Sequence, residues 1–136
     1  MKSRLIVSAI IKKGDKYLLG QKPKNKGPYP NTWHLIGGGV NAEEEGIEDA
    51  LRREIIEEVG IEVDNITRLT FDEDYEPDKN GELTHYVFLR YQVDYKSGTA
   101  LASDDIKEIK WFDEKDLQSI PLARPLSKLL KELELI

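Results

Sequence analysis

GVNAEEEGIEDALRREIIEEVGI, residues 39–61, is the stretch around which this 136-residue chain is organised. Ala50, Leu51, Arg52, Arg53 and Glu54 are good or acceptable helix formers, and Gly60 suits the left-handed position that ends a helix. Asn41 and Glu44 have the spacing of a capping box, whereas Gly46 weakens the first turn, so a regular helix is expected from near Ile47. At about 100° per residue, Ile47, Leu51, Ile55 and Val59 line one face, with Ala50 beside them. Glu54 falls between Ala50 and Ile47 on that wheel, Glu58 between Ile47 and Leu51, and Glu57 at the edge of the face. Two glutamates therefore lie inside the stripe that should be buried, and a third flanks them.

A solvated acidic face would need Glu54 and Glu58 on the polar side, and the periodicity puts them elsewhere. Buried carboxylates must neutralise, pair with cations or bind metal. Spacings of three and four residues bring the three side chains together on one helix surface. Two outcomes stay open from periodicity alone: a site for a hard cation, since oxygen ligands suit Mg²⁺, or a structural cluster paired with arginine.

The pattern Gly39-x5-Glu45-x7-Arg53-Glu54-Ile55-x-Glu57-Glu58-x-Gly60-Ile61 resembles the Nudix box, with every fixed position filled. The resemblance implies a divalent-metal hydrolase that cleaves a phosphoanhydride in a nucleoside diphosphate linked to another group. It implies Glu54, Glu57 and Glu58 as ligands of Mg²⁺ (or Mn²⁺), Glu45 as the first glutamate of the box, and Arg53 as the arginine that orients the glutamates. Gly38 matches the glycine whose carbonyl often completes the metal shell. Two departures stand out. Ile36 precedes the glycines where many members have proline. Trp33 also lies one residue farther from Glu45 than expected, which leaves Gly38 and Gly37 both open as the carbonyl ligand.

The length favours one domain, 1–136, with a single sizeable core. An apolar content of 39% with 34% charged residues suits a soluble globular protein. No run approaches a membrane span, and Met1-Lys2-Ser3-Arg4 leads into an apolar segment too short for a signal peptide. The absence of cysteine excludes disulfides and thiolate metal sites. A cytoplasmic protein without a membrane partner is therefore expected. The net charge of −6 argues against a nucleic-acid polymer as main partner, although an acidic protein can take a small anionic nucleotide if metal and a local basic patch supply counter-charge.

Along the chain, residues 5–11 (LIVSAII) and 16–19 (KYLL) read as strands joined by a Gly14-Asp15 turn. Residues 21–31 (QKPKNKGPYPN) hold three prolines and three lysines and mark a loop. Lys22, Lys24 and Lys26 could approach a polyphosphate there. Residues 33–36 read as a short strand that delivers the chain to three glycines. In it, Trp33 is either packing or a platform for a base. Residues 61–63 and 66–71 are extended with a break at Asp64-Asn65, residues 72–81 (DEDYEPDKNG) are polar and turn-rich, and Asn80-Gly81 signals a hairpin. In the following strand, 83–93, alternation sends Thr84, Tyr86, Phe88, Arg90 and Gln92 to one face. That set could line a pocket, with Tyr86 and Arg90 as contacts to base or phosphate. Residues 106–112 (IKEIKWF) alternate as another strand, Asp113 can cap a short helix, and Pro125 suits the first turn of a last helix striped by Leu126, Leu129, Leu130 and Leu133.

This order makes an α+β fold: a mixed β-sheet sandwiched between helices (α/β/α), which also resembles the Nudix fold. In such relatives the proton acceptor is a glutamate of the box or an acid from a distant loop. Glu57 is the candidate within the helix, and Asp104, Asp105 and Glu108 are the distal ones. The compact layout and the glycine entry without proline are similar to MutT-like members, the pyrimidine deoxynucleoside triphosphatases especially. They imply conversion of a (d)NTP to (d)NMP and pyrophosphate. ADP-ribose, dinucleoside polyphosphates and nucleotide sugars are the alternative substrates within the family, and a silent nucleotide sensor is the alternative from another class. The family often forms homodimers.

Overall fold

In the computed structural model, which describes residues 1–21, 23, 29–103 and 106–136, the strand with the most apolar run lies at the centre. β1 (Lys2–Lys13) is buried from Val7 to Ile11 on both faces, as a near-continuous apolar run predicts. It pairs in parallel with β6 (Leu83–Ser97), Lys2 opposite Thr84 through Lys12 opposite Asp94. Its other edge is shared. β4 (Ile36–Gly39) lies antiparallel to residues 6–9, and β2 (Lys16–Gln21) turns back on residues 11–13 after Gly14 at φ 63°. β3 (Trp33–His34) and β7 (Glu108–Asp113) pair with β2, and β5 (Glu62–Pro77) pairs with β6. Among the described residues these strands form one seven-stranded mixed sheet.

Each face of the sheet is covered by a helix. α1 (Ile47–Val59) buries Ala50, Leu51, Ile55 and Val59 against Val7, Ala9 and Ile11 of β1, with Ile36, Val63, Tyr91 and Val93 completing that core. Gly60 ends it in the left-handed region at φ 70°, its N–H donating to Ile56 O at 3.0 Å. On the opposite face, α2 (Arg124–Glu132) sets Leu126, Leu129 and Leu130 against Ile10, Tyr17, Leu19 and Phe112, and Leu117 comes from the 3₁₀ helix Glu114–Ser119. The expected α/β/α sandwich is the architecture observed.

Several local expectations are corrected. Ile47 is 38% exposed rather than part of the buried stripe, because it opens the helix and the apolar contact begins at Ala50. The Asn41–Glu44 capping box does not form. Instead Glu45 Oε2 accepts the Asn41 N–H at 3.0 Å, because Arg53 holds the Glu45 carboxylate at that place. Residues 72–77 are strand, not turn, since β6 supplies an in-register partner from Phe88 to Leu83. The break at Asp64-Asn65 is a bulge inside β5, with Asn65 at φ 52°. Asp113 makes no side-chain cap, and its carboxylate accepts from Lys16 Nζ at 2.8 Å. The Asn80-Gly81 hairpin is present, with Gly81 at φ 80°.

Candidate active site

The strand order places two rows of side chains next to each other. Arg4, Ile6 and Ser8 of β1 stand in register with Tyr86, Phe88 and Arg90 of β6. Together they form the floor of a cavity of about 530 Å³. Residues 37–39 of β4 and Glu54, Glu57 and Glu58 of α1 line a second wall, and Lys2, Asp78, Lys79 and Asn80 line a third side. Tyr29, His34, Leu35, Ala123, Pro125 and Leu126 complete the lining. Asp78 braces the hairpin by accepting N–H bonds from Asn80 at 2.8 Å and Glu82 at 3.0 Å. Lys2 Nζ donates to the same carboxylate, which lies low at about 2 through this bond and the backbone donors. Tyr29 is tied to β5 through its hydroxyl, which donates to Asp74 at 2.9 Å. Arg124 of α2 grips Asp74 at 2.7 Å and Glu76 at 2.6 Å from the other side.

Arg53 is the organising group of the glutamate wall. Its Nε and Nη2 donate to the two oxygens of Glu45 at 2.7 Å each, a bidentate pair. Its Nη1 donates to Glu54 at 2.9 Å and to Glu57 at 3.0 Å, and Nη2 also donates to the Gly39 carbonyl at 3.1 Å. One guanidinium thus fixes the start of the box, the glycine strand and two helix carboxylates relative to one another. The Arg53 hydrogen bonds, joined by the Asn41 N–H, pull the Glu45 carboxyl down to about 2 from an ordinary 4.5. A depressed carboxyl contributes stability that is complete above its unfolded value and is lost as pH falls through the folded one. Arg53→Met is therefore expected to remove the part of the acid-unfolding profile that lies between about pH 4.5 and 2. Fluorescence-monitored acid titration of parent and variant checks this, and superimposable profiles would contradict it.

Gly38 sits directly against Glu54: a Cβ built at Gly38 would lie 2.3 Å from Glu54 Oε2. Only glycine leaves that cradle open. Among the described residues no three acidic or histidine side chains already enclose one point, because Arg53 holds Glu54 and Glu57 towards itself. The donor chemistry nevertheless fits a hard divalent cation, with the carboxylates of Glu54, Glu57 and Glu58 on the same wall as the glycine backbone. Ser103 ties the following loop to this wall, its Oγ donating to the Glu57 carbonyl at 2.5 Å and its N–H to Glu58 O at 3.1 Å.

Of the residues expected at the site, Gly38, Glu54, Glu57, Glu58, Tyr86 and Arg90 line the cavity, and Arg53 and Glu45 brace it. Trp33 is corrected to a core residue. It is 8% exposed, meets Phe112 edge-on at 4.9 Å and is absent from the cavity lining, because β3 pairs with β2 and faces α2. Glu108 is exposed at the start of β7, opposite Gln21, and does not line the cavity either. Lys22, Lys24, Lys26, Asp104 and Asp105 lie outside the described residues. Arg4, Ser8 and Tyr29 were not anticipated. Alternation along β1 could have found the first two, as Arg4, Ile6 and Ser8 share a face.

Residues 2–133 match the NUDIX domain family model. The chain is 32% identical to a nucleoside triphosphatase NudI of Escherichia fergusonii, over 90% of each chain, and 31% identical to that of an Escherichia coli strain over 96% of each. Its fold superimposes on the crystal structure of a MutT NUDIX hydrolase from Burkholderia pseudomallei with a TM-score of 0.82, at 28% identity, covering 96% of this chain and 98% of that one. The chain belongs to the Nudix family. Within it, this protein is an enzyme, a pyrophosphohydrolase that acts on phosphoanhydride bonds. Nudix hydrolases generally need divalent metal ions. Among the described residues, no helix is long and apolar enough to cross a membrane.

Proposed function

We propose that this enzyme hydrolyses a nucleoside or deoxynucleoside triphosphate to the monophosphate and pyrophosphate, with Mg²⁺ as the working cation. The observation that carries the reading is the shape of one cavity: an aromatic and apolar floor for a ring meets a carboxylate wall opened by Gly38 for a charged polyphosphate. The similarity to nucleoside triphosphatases named NudI supports the substrate class. Glu54, Glu57 and Glu58, with the backbone at Gly38, would hold the cation. When bound, it supplies charge neutralisation at the phosphate oxygens and a lowered pKa for water.

The residues themselves do the rest. Arg53 orients Glu54 and Glu57, so that neither has to be ordered when substrate arrives. Glu57, half-exposed at the cavity wall, takes the proton of the attacking water, and Asp104 or Asp105 is the alternative acceptor. Tyr86 and Phe88 stack at 6.1 Å between centroids and 15° between planes, forming the floor on which the base rests. Arg4 lies over Gly39, where its guanidinium can meet a phosphate. Work inside the cell, on small nucleotides, follows from this reading.

The test is product release with Mg²⁺ across canonical dNTPs and NTPs, ADP-ribose, dinucleoside polyphosphates and nucleotide sugars. Monophosphate and pyrophosphate from a triphosphate, abolished by chelation and restored by Mg²⁺, is the expected result. Turnover confined to ADP-ribose or a nucleotide sugar would reject the substrate and keep the family chemistry.

A further inference from the structure

Arg90 is 3% exposed and lines the cavity floor, yet among the described residues its Nη1 has no hydrogen-bond partner. A buried donor without an acceptor is costly, and most native chains avoid it. The Asp72 carboxylate lies 3.9 Å from this nitrogen, beyond hydrogen-bond reach, and is itself held by Lys128 at 2.9 Å. The guanidinium lies 5.1 Å from the centre of the Phe88 ring, so Tyr86, Phe88 and Arg90 make a ladder of two rings ending in a donor.

We propose that Arg90 reads the base of the bound nucleotide, its guanidinium turning towards the cavity to donate to a ring carbonyl and thereby selecting against adenine, the one common base without such a carbonyl. This rests on the triphosphatase reading above. Two features favour a neutral carbonyl over a phosphate at this position. Among the described residues, Lys128 and Arg90 face Asp72 and Glu132, two cations against two carboxylates, which does not favour a polyanion at this position. Ser8 stands in register with Arg90 on one side and Gly37 on the other, so the Arg90 backbone lies two strand spacings from the glycine strand, roughly 10 Å. A sugar and its first phosphate bridge a gap of that order, which leaves the outer phosphates at the carboxylate wall.

Arg90→Met and Arg90→Gln in the full chain test this with two readouts. The first is NMR titration with thymidine, cytidine, guanosine and adenosine, which reports base recognition without phosphate or turnover. The second is kcat/KM with Mg²⁺ for the four dNTPs. The parent should favour the three carbonyl-bearing bases in both. Methionine should lower kcat/KM for those three by about 10- to 100-fold, through KM, and leave dATP unchanged. Glutamine, which keeps a donor, should retain part of the preference. A melting temperature at or above the parent's establishes that the methionine variant is folded; if it is not, the glutamine variant decides. An equal loss on all four dNTPs overturns base reading in favour of a phosphate contact, and no loss overturns it outright. If the parent turns over no triphosphate, the proposed function fails. The titration still decides here: carbonyl-selective nucleoside binding lost in the variants sustains the role of Arg90, and no selectivity ends it.

Discussion

Glu58→Gln should fold as the parent does and turn over about 10³-fold more slowly, a loss of about 4 kcal/mol of transition-state stabilisation. Glu58 is half-buried on the cavity side of α1, and its backbone carbonyl is already engaged by Ser103. Glutamine keeps the volume and the helix and replaces a charged oxygen by an amide. What it removes is a ligand for a hard cation, whose charge makes attack on a polyanion feasible. Steady-state kinetics with saturating Mg²⁺, alongside thermal melting, is the measurement. Glu48→Gln is the control, since Glu48 is exposed on the same helix and does not line the cavity. Near-parental turnover for Glu58→Gln would reject the ligand assignment.

The second large effect separates two adjacent glycines. At Gly37 an added Cβ would lie 2.0 Å from the Val7 carbonyl oxygen and 2.6 Å from Ser8 Cα, so the backbone of β1 or β4 must move. Gly37→Ala should therefore destabilise the fold by about 3 kcal/mol, lowering the melting temperature by about 10 °C. At Gly38 the obstacle is the carboxylate of Glu54, the far end of a flexible side chain. Gly38→Ala should melt close to the parent but displace Glu54 from Arg53, reducing kcat by about 10²-fold. Melting curves and kinetics on the pair check both halves. If Gly38→Ala kept full activity, the close approach of β4 to Glu54 would have no catalytic meaning.

Residues 39–61 were legible because a helix imposes its own geometry: the period that buries Leu51, Ile55 and Val59 also dictates where Glu54 and Glu58 must point. That β1 is a strand, that α2 carries an apolar stripe and that Asn80-Gly81 turns a hairpin were legible for similarly local reasons. Where sequence reading failed, long-range pairing had overridden local preference. Residues 72–77 are polar enough for a turn and became strand only because β6 offered partners. For Trp33 the sequence left packing and a base platform both open, and the docking of β3 on β2 decided for packing.

By itself, then, the sequence determined the family and the helix that carries the glutamates, since these rest on spacing within one element, and the α+β class, which rests on the order of elements along the chain. Only the tertiary structure decided that Arg53 joins Glu45, Glu54, Glu57 and Gly39, that Glu54 needs the absent side chain of Gly38, and that Arg4 and Ser8 share a floor with Tyr86 and Arg90. The physical reason is that neighbours across strands are set by register, and register is a property of the packed sheet rather than of any one segment.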